Sequence, residues 1–227
     1  MNSPASVDET IRAAMIQLIQ GHMKDTALEH ALSSITSSAV ELIEGVDFAG
    51  MLVMYEGEAR SVAPTVALAA ELDTVQLRHQ QGPCLDAAIT EAVIISSDLR
   101  EERRWPSFAP AAVAVGVYSI VSYRLIPQHK VTGALNLFSH EPRSFDEAGR
   151  TTGALLATMA TVAMMSAVRE EQFETALASR DLIGQAKGIL MNHYQIDAER
   201  AFAMLRHLSQ NDNIPVRTIA QQIIDNF

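Results

Sequence analysis

Between Pro142 and Pro215 the chain contains no proline, and from Ser144 onward its apolar residues recur at helical spacing. A proline inside a helix costs about 3 kcal/mol, so a stretch free of it can support one long helix. Leu156, Ala160, Ala163, Ala167, Phe173, Leu177, Ile183, Ala186 and Leu190 keep one apolar stripe. Small residues at 157, 160, 163 and 167 leave room for a second helix to come close. A helix this long has more surface than one small domain can cover. The expectation is a coiled-coil-like pairing with its counterpart in a homodimer; a single helix folded back on its own sheet is the alternative.

Two shorter helices should follow Gln195. Ile196 and Asp197 suit a staple position and an N-cap, with Ala201, Phe202, Leu205 and Leu208 as the buried face. Asn213 suits the next cap, with Pro215 in the first turn and Val216, Ile219, Ala220, Ile223 and Ile224 as the stripe. Three helices in so short a segment make a small bundle. Within the first of them lies Gly188, whose cost against alanine is roughly 1 kcal/mol.

Upstream the pattern is mixed. Ile11, Met15, Leu18 and Ile19 mark a short amphipathic helix. Thr26 and Glu29 have capping-box spacing for a second, carried on by Leu28, Leu32, Ile35, Ala39, Leu42 and Ile43 and stopped at Gly45. "DFAGMLVMYEG" reads as a strand with "RSVAPTVAL" as its hairpin partner. Residues 71–91 read as two short helices broken at Gly82-Pro83, followed by a strand in "AVIISSD" and a helix in "SFAPAAVAVG". "VYSIVSYRLIP" and "KVTGALNLFSH" are two further strands, and "SFDE" offers a cap for the long helix. This order favours an α+β domain on an antiparallel sheet over a doubly wound one.

No apolar run approaches the roughly 18 residues of a spanning helix, and the N-terminus has no signal-peptide pattern. The single cysteine, Cys84, makes no internal disulfide and no metal cluster. These features point to a cytoplasmic protein with no membrane partner. The net charge of −10 argues at first against nucleic acid. From Ser179 onward, however, five basic residues (Arg180, Lys187, Arg200, Arg206, Arg217) meet five acidic ones, so the negative charge lies upstream. The C-terminal segment is a separate, neutral module.

"SRDLIGQAKGILMNHYQIDAERAFAMLRHLSQNDNIPVRTIAQQII" closely resembles an ANTAR domain, the RNA-binding module of transcription antitermination regulators. The resemblance rests on Ile183, Gln185, Ala186, Lys187, Gly188, Leu190, Met191, Ala201, Phe202, Leu205, Arg206, Ser209, Asn213, Arg217 and Ala220. Where such domains often carry a basic residue after the Asn-Ile pair, this chain has Pro215. Upstream, "ELIEGVDFAGMLV", "LDTVQLRHQQGPCLDA", "DLREERRWPSFAPAAVAVGVYSIVSYRL" and "GALNLFSHEPRSFDE" resemble a GAF domain. The implied organisation is a helical segment over 1–22, a GAF sensor domain over 23–168 and an ANTAR domain over 169–227.

The resemblance implies a mechanism in which a signal at the GAF domain alters dimerisation or exposure of the ANTAR bundle. Paired bundles then hold two hairpin loops of a nascent leader transcript. Lys187, Arg206 and Arg217 form a phosphate-facing cluster in this reading. Ser209, Gln210 and Asn213 sit at the turn between the last two helices, where they cap and can also reach base edges of an unpaired loop. Gly188 either packs closely on Ala201 or Phe202 or lets an RNA backbone approach. Met191 reads as core, and His193 and Tyr194 as candidates for stacking or for burial at a helix end.

GAF domains commonly hold a small molecule under a helical lid, here residues 71–91 and the helix near Phe108, with Trp105 nearby. The Asn-Lys pair before Phe of cyclic-nucleotide GAF domains is absent, so no ligand or cofactor is named. Cys84 reads as a small buried residue. A DNA-binding regulator is the second reading, and it wants a basic recognition helix where "VRTIAQQIIDNF" has only Arg217. A methionine sulfoxide reductase of GAF type relies on a resolving thiol that one cysteine does not supply, and no catalytic set has convincing spacing. The reading is therefore of a non-enzyme.

Overall fold

A computed structural model describes residues 26–55, 58–89, 92–125 and 131–226. The helix expected around Ile11–Ile19 and the Thr26 side chain of the expected capping box lie outside them. The chain divides into two compact units, with the division after Val168.

The first unit is built on five strands: β1 Phe48–Tyr55, β2 Glu58–Val62, β3 Val93–Ser96, β4 Ser119–Leu125 and β5 Val131–Ser139. They form an antiparallel sheet in the order β2-β1-β5-β4-β3. Helix α1 (Thr26–Leu42) precedes the sheet. Helices α2 (Ala67–His79) and α3 (Pro83–Ile89) lie between β2 and β3, and α4 (Phe108–Ala114) between β3 and β4. The α+β antiparallel architecture is the one expected. The hairpin partner of β1 is shorter than expected, because "VAL" in "RSVAPTVAL" already opens α2.

Side chains alternate across a strand, and here both faces are covered. Met51, Val53, Val121, Tyr123, Leu135 and Leu137 face one core with Leu32, Ala39 and Ile43 of α1. Phe48, Leu52, Ile120, Ala134 and Phe138 face the other, with Leu72, Cys84, Trp105 and Phe108. Phe48 and Phe138 are directly opposed in register and stack at 4.7 Å, a geometry worth about 0.5–1.5 kcal/mol beyond the area buried. Two covered faces explain why the strands read as nearly unbroken apolar runs.

Helix α5, Glu147–Tyr194, is the long helix of the proline-free stretch. Its cap is Asp146, whose Oδ1 accepts from the Gly149 N–H at 2.6 Å. Ser144 does not cap it and instead donates to the Glu141 carbonyl. Leu156, Ala157, Ala160 and Met164 pack into the α1 side of the core. The small residues at 157 and 160 therefore serve this domain's own packing. Leu155, Met159 and Val162 are the apolar residues left exposed on this part of the helix. Where α5 crosses the sheet, a Cβ on Gly153 would stand 2.6 Å from the Tyr123 ring, and the Tyr123 hydroxyl donates to the Arg150 carbonyl at 3.0 Å.

The second unit holds the remainder of α5 with α6 (Ala198–Asp212) and α7 (Val216–Asn226). Its core is Ala186, Leu190, Ala201, Leu205, Ile219 and Ala220. Phe202 and Leu208, expected on the buried face of α6, are exposed, as in the single chain are Phe173 and Leu177 of the apolar stripe. A three-helix bundle of this size buries only a narrow line on each helix, and these four lie beyond it.

Candidate nucleic-acid interface

Two local devices set the ends of α6. Asp197 is its N-cap, with Oδ1 accepting from the Arg200 N–H at 2.8 Å. Asn213 ends it in the left-handed conformation (φ 53°), its N–H donating to the Ser209 carbonyl. Asn213 thus closes α6 where the sequence suggested that it opens α7, a role that asparagine accepts because it tolerates this conformation. Ser209 Oγ donates to the Ile214 carbonyl at 2.6 Å, while the Ile214 N–H returns to the Ser209 carbonyl. Pro215 follows, and its carbonyl accepts from Thr218 and Ile219 to start α7.

This frame places the expected contact residues. Lys187 is half-buried, with Nζ 6.0 Å from the centre of the Phe202 ring. Arg206 and Gln210 follow Phe202 at successive four-residue steps on α6, on the same face, and both are exposed. Arg217 is exposed on α7. Asn213 is exposed at the turn, whereas the Ser209 hydroxyl is committed to Ile214. Lys187, Phe202, Arg206 and Gln210 thus form one run across two helices. Arg217 stands on a third, α7.

Gly188 corrects one expectation. A Cβ built there meets no atom within 4 Å, so close packing on Ala201 or Phe202 does not explain the glycine. Gly184, one turn earlier, is equally open. Met191, read as core, is 36% exposed. His193 and Tyr194 form an edge-on pair at 4.7 Å, both exposed. Gly188 thus lies on an exposed stretch of α5 with Gly184, Met191 and Tyr194, next in sequence to Lys187.

The first unit carries a second group that sequence reasoning missed. Asn136 and Ser122, opposed in register between β5 and β4, point into the α2–α4 side of the core. Ser122 Oγ donates to Asn136 Oδ1 at 2.7 Å, and Asn136 Nδ2 donates to Asp73 Oδ1 at 3.2 Å. Gln76 Oε1 accepts from the Cys84 N–H at 2.9 Å, joining α2 to α3. Gly82 makes room for that link: its φ of +144° suits glycine, and a Cβ there would collide with the Gln76 side chain. Trp105 Nε1 donates to Asp86 Oδ2 at 2.8 Å. Burial first, and then the Asp73 carboxylate, push the Cys84 thiol well above its ordinary value. It is held as the inert thiol, and the expected small buried residue is what Cys84 is. The available signal was polar residues, Asp73 and Gln76, three apart beside the apolar Ala69 and Leu72.

Family models agree with this division. A GAF domain model matches residues 25–165, and an ANTAR domain model matches residues 171–224. No curated protein matches the chain significantly. One similar structure is a domain of a Sinorhizobium meliloti protein described as a two-component sensor histidine kinase. It shares 15% identity and a TM-score of 0.54 over 66% of this chain and 99% of that one. GAF3 of a Synechocystis protein, in its photoproduct state, shares 12% identity and a TM-score of 0.53 over 65% and 99%. These likenesses show the fold of the first unit. Among the described residues no helix is long and apolar enough to cross a membrane. With a GAF domain followed by an ANTAR domain, the chain belongs to the GAF–ANTAR transcription antitermination regulators.

Proposed function

We propose that this protein acts in the cytoplasm as a dimeric, signal-responsive antiterminator that has no catalytic role. Its paired ANTAR bundles hold the hairpin loops of a nascent leader RNA and keep a terminator from forming. The observation that carries this reading is the open face at Gly188. A helical glycine with nothing above it has no packing reason inside the chain, and its sequence neighbour Lys187 reaches the Phe202 ring of α6, whose exposed face Arg206 and Gln210 continue.

In this reading Lys187, Arg206 and Arg217 contact phosphates, and Gly188 lets the RNA backbone come close. Phe202 offers a partly exposed ring for a splayed base, and Gln210 and Asn213 offer amides to base edges. Ser209 orders the turn that presents them. A bundle with so few contacts binds weakly alone, and two on one RNA gain roughly 10²–10⁴-fold by effective concentration. Leu155, Met159 and Val162 supply an apolar face for the pairing. The GAF domain receives the signal, with α2, α3 and α4 as the cover of a small-molecule ligand.

The test is titration of a two-hairpin leader RNA with the full chain and with Lys187→Ala/Arg206→Ala. The double variant should bind more weakly with a shallower salt dependence while keeping its helical content. Unchanged affinity in the folded double variant, or tight duplex-DNA binding with no affinity for hairpin RNA, overturns the reading.

A further inference from the structure

Two side chains on the inner face of α2 keep a polar atom that packing leaves unpartnered. Asp73 is 1% exposed and Gln76 is fully buried, one helical turn apart. Asp73 Oδ1 is used by Asn136, but Oδ2 has no hydrogen-bond partner. Gln76 Oε1 holds the Cys84 N–H, but Nε2 has none. A buried polar atom without a partner costs about 1–3 kcal/mol, and more when charged. Both orphans lie where the helical cover meets the sheet.

The surroundings of Asp73 determine which form they tolerate. β1 brings Phe48 and Leu52, and α4 brings Phe108, Ala109 and Ala112, all apolar. β2 brings the Ser61 hydroxyl, close enough to favour the charged form but without the geometry of a hydrogen bond. β4 and β5 bring Ser122 and Asn136. α3 brings the Cys84 thiol and Asp86, whose carboxylate accepts from Trp105. On α2 itself the charged Glu71 and the basic Arg78 and His79 are exposed. Among the described residues none of the groups that face Asp73 is a cation, so none neutralises its ionised form.

We propose that Asp73 is a proton-operated latch: its protonated carboxyl keeps α2 and α3 docked on the sheet, and its ionisation releases them. Gln76 makes the two helices move together, because its side chain grips the first turn of α3. Asn136 is the strike plate, fixed in the sheet by Ser122. Burial, against the opposing pull of Ser61 and Asn136, lifts the Asp73 carboxyl from 3.8 to about 7. The sign follows. Docking is strongest below the ordinary value of 3.8, weakens as pH rises from there through about 7, and changes no further once both states are ionised. This regulation concerns the sensor domain and does not depend on what the bundle binds.

Hydrogen exchange of the full chain, corrected for the intrinsic pH dependence of exchange, tests the latch. Protection of residues 67–89 should fall by up to about tenfold per pH unit between about pH 5 and pH 7 and then level off. Asp73→Asn should remove that slope. A wild-type protein with flat protection, or a variant that keeps the slope, overturns the proposal. The wild-type chain labelled with carboxyl-¹³C aspartate gives a reading that does not need the variant to fold. One carboxyl resonance should titrate near neutrality, and the absence of any such resonance overturns the proposal equally.

Discussion

Lys187 Nζ stands 6.0 Å from the centre of the Phe202 ring, a contact that ties the last part of α5 to α6 immediately beside Gly188. A methyl on the glycine would meet nothing within 4 Å beyond its own helix backbone and chain neighbours. Gly188→Ala should therefore raise stability by about 0.5–1 kcal/mol, the ordinary gain of alanine over glycine in a helix. The same substitution should weaken RNA binding, because a methyl then stands where the backbone approaches. Urea unfolding and RNA titration on one preparation check the two opposite signs. A destabilised variant would mean that the glycine is there for packing.

The crossing of α5 over β4 should be intolerant of added volume. Tyr123 is 2% exposed, so its ring has nowhere to go when Gly153→Ala places a methyl against it. A loss of about 1–3 kcal/mol is expected. Tyr123→Phe loses only the hydrogen bond to Arg150, about 1 kcal/mol. A double-mutant cycle with Tyr123→Leu should recover part of the Gly153→Ala loss, since the two share one space.

Pairing through the exposed face of α5 gives a direct readout. Wild-type protein should sediment as a dimer at micromolar concentration, and Leu155→Glu with Met159→Glu should sediment as a monomer with unchanged helical content. Both residues are more than half exposed, so the charges should not disturb the domain's own core. A wild-type monomer under these conditions would remove the dimer from the proposed function.

Acid should remove one local support. Partial burial pushes the Glu102 carboxyl up, but hydrogen bonds from Arg104 and Ser96 outweigh it and hold it down at about 2. Its contribution is present above the ordinary value of 4.5 and is lost as pH falls through about 2. Glu102→Gln should lower the urea midpoint at pH 7, and the difference from wild type should shrink as the pH is taken toward about 2. Equal midpoints at pH 7 would show that the Arg104 pair adds nothing.

The strands were legible because β-branched runs end at turn residues, and the long helix because proline is missing from it. Helix faces were legible only in part. Phe202 and Leu208 satisfy helical periodicity, yet the bundle is too narrow to cover them. Ala157 and Ala160 looked like a groove for a partner, but small residues serve equally where a helix presses on its own sheet. Asn213 reads as a start signal because asparagine caps both ends of helices, and only its backbone angle decides which. The Asp73–Asn136 contact joins residues 63 apart, and nothing local in either segment announces the other.

Ser122 and Tyr123 are neighbours on β4, and the pleat sends them to opposite sides of the sheet. One reaches Asn136 and, through it, the buried acid; the other abuts the helix that continues past Val168. A single peptide unit thus joins the residue that holds Asn136 to the residue on which the first part of α5 rests, so the support of the buried acid and the helix contact stand at its two ends. A tilt of that one amide plane would be felt at both ends.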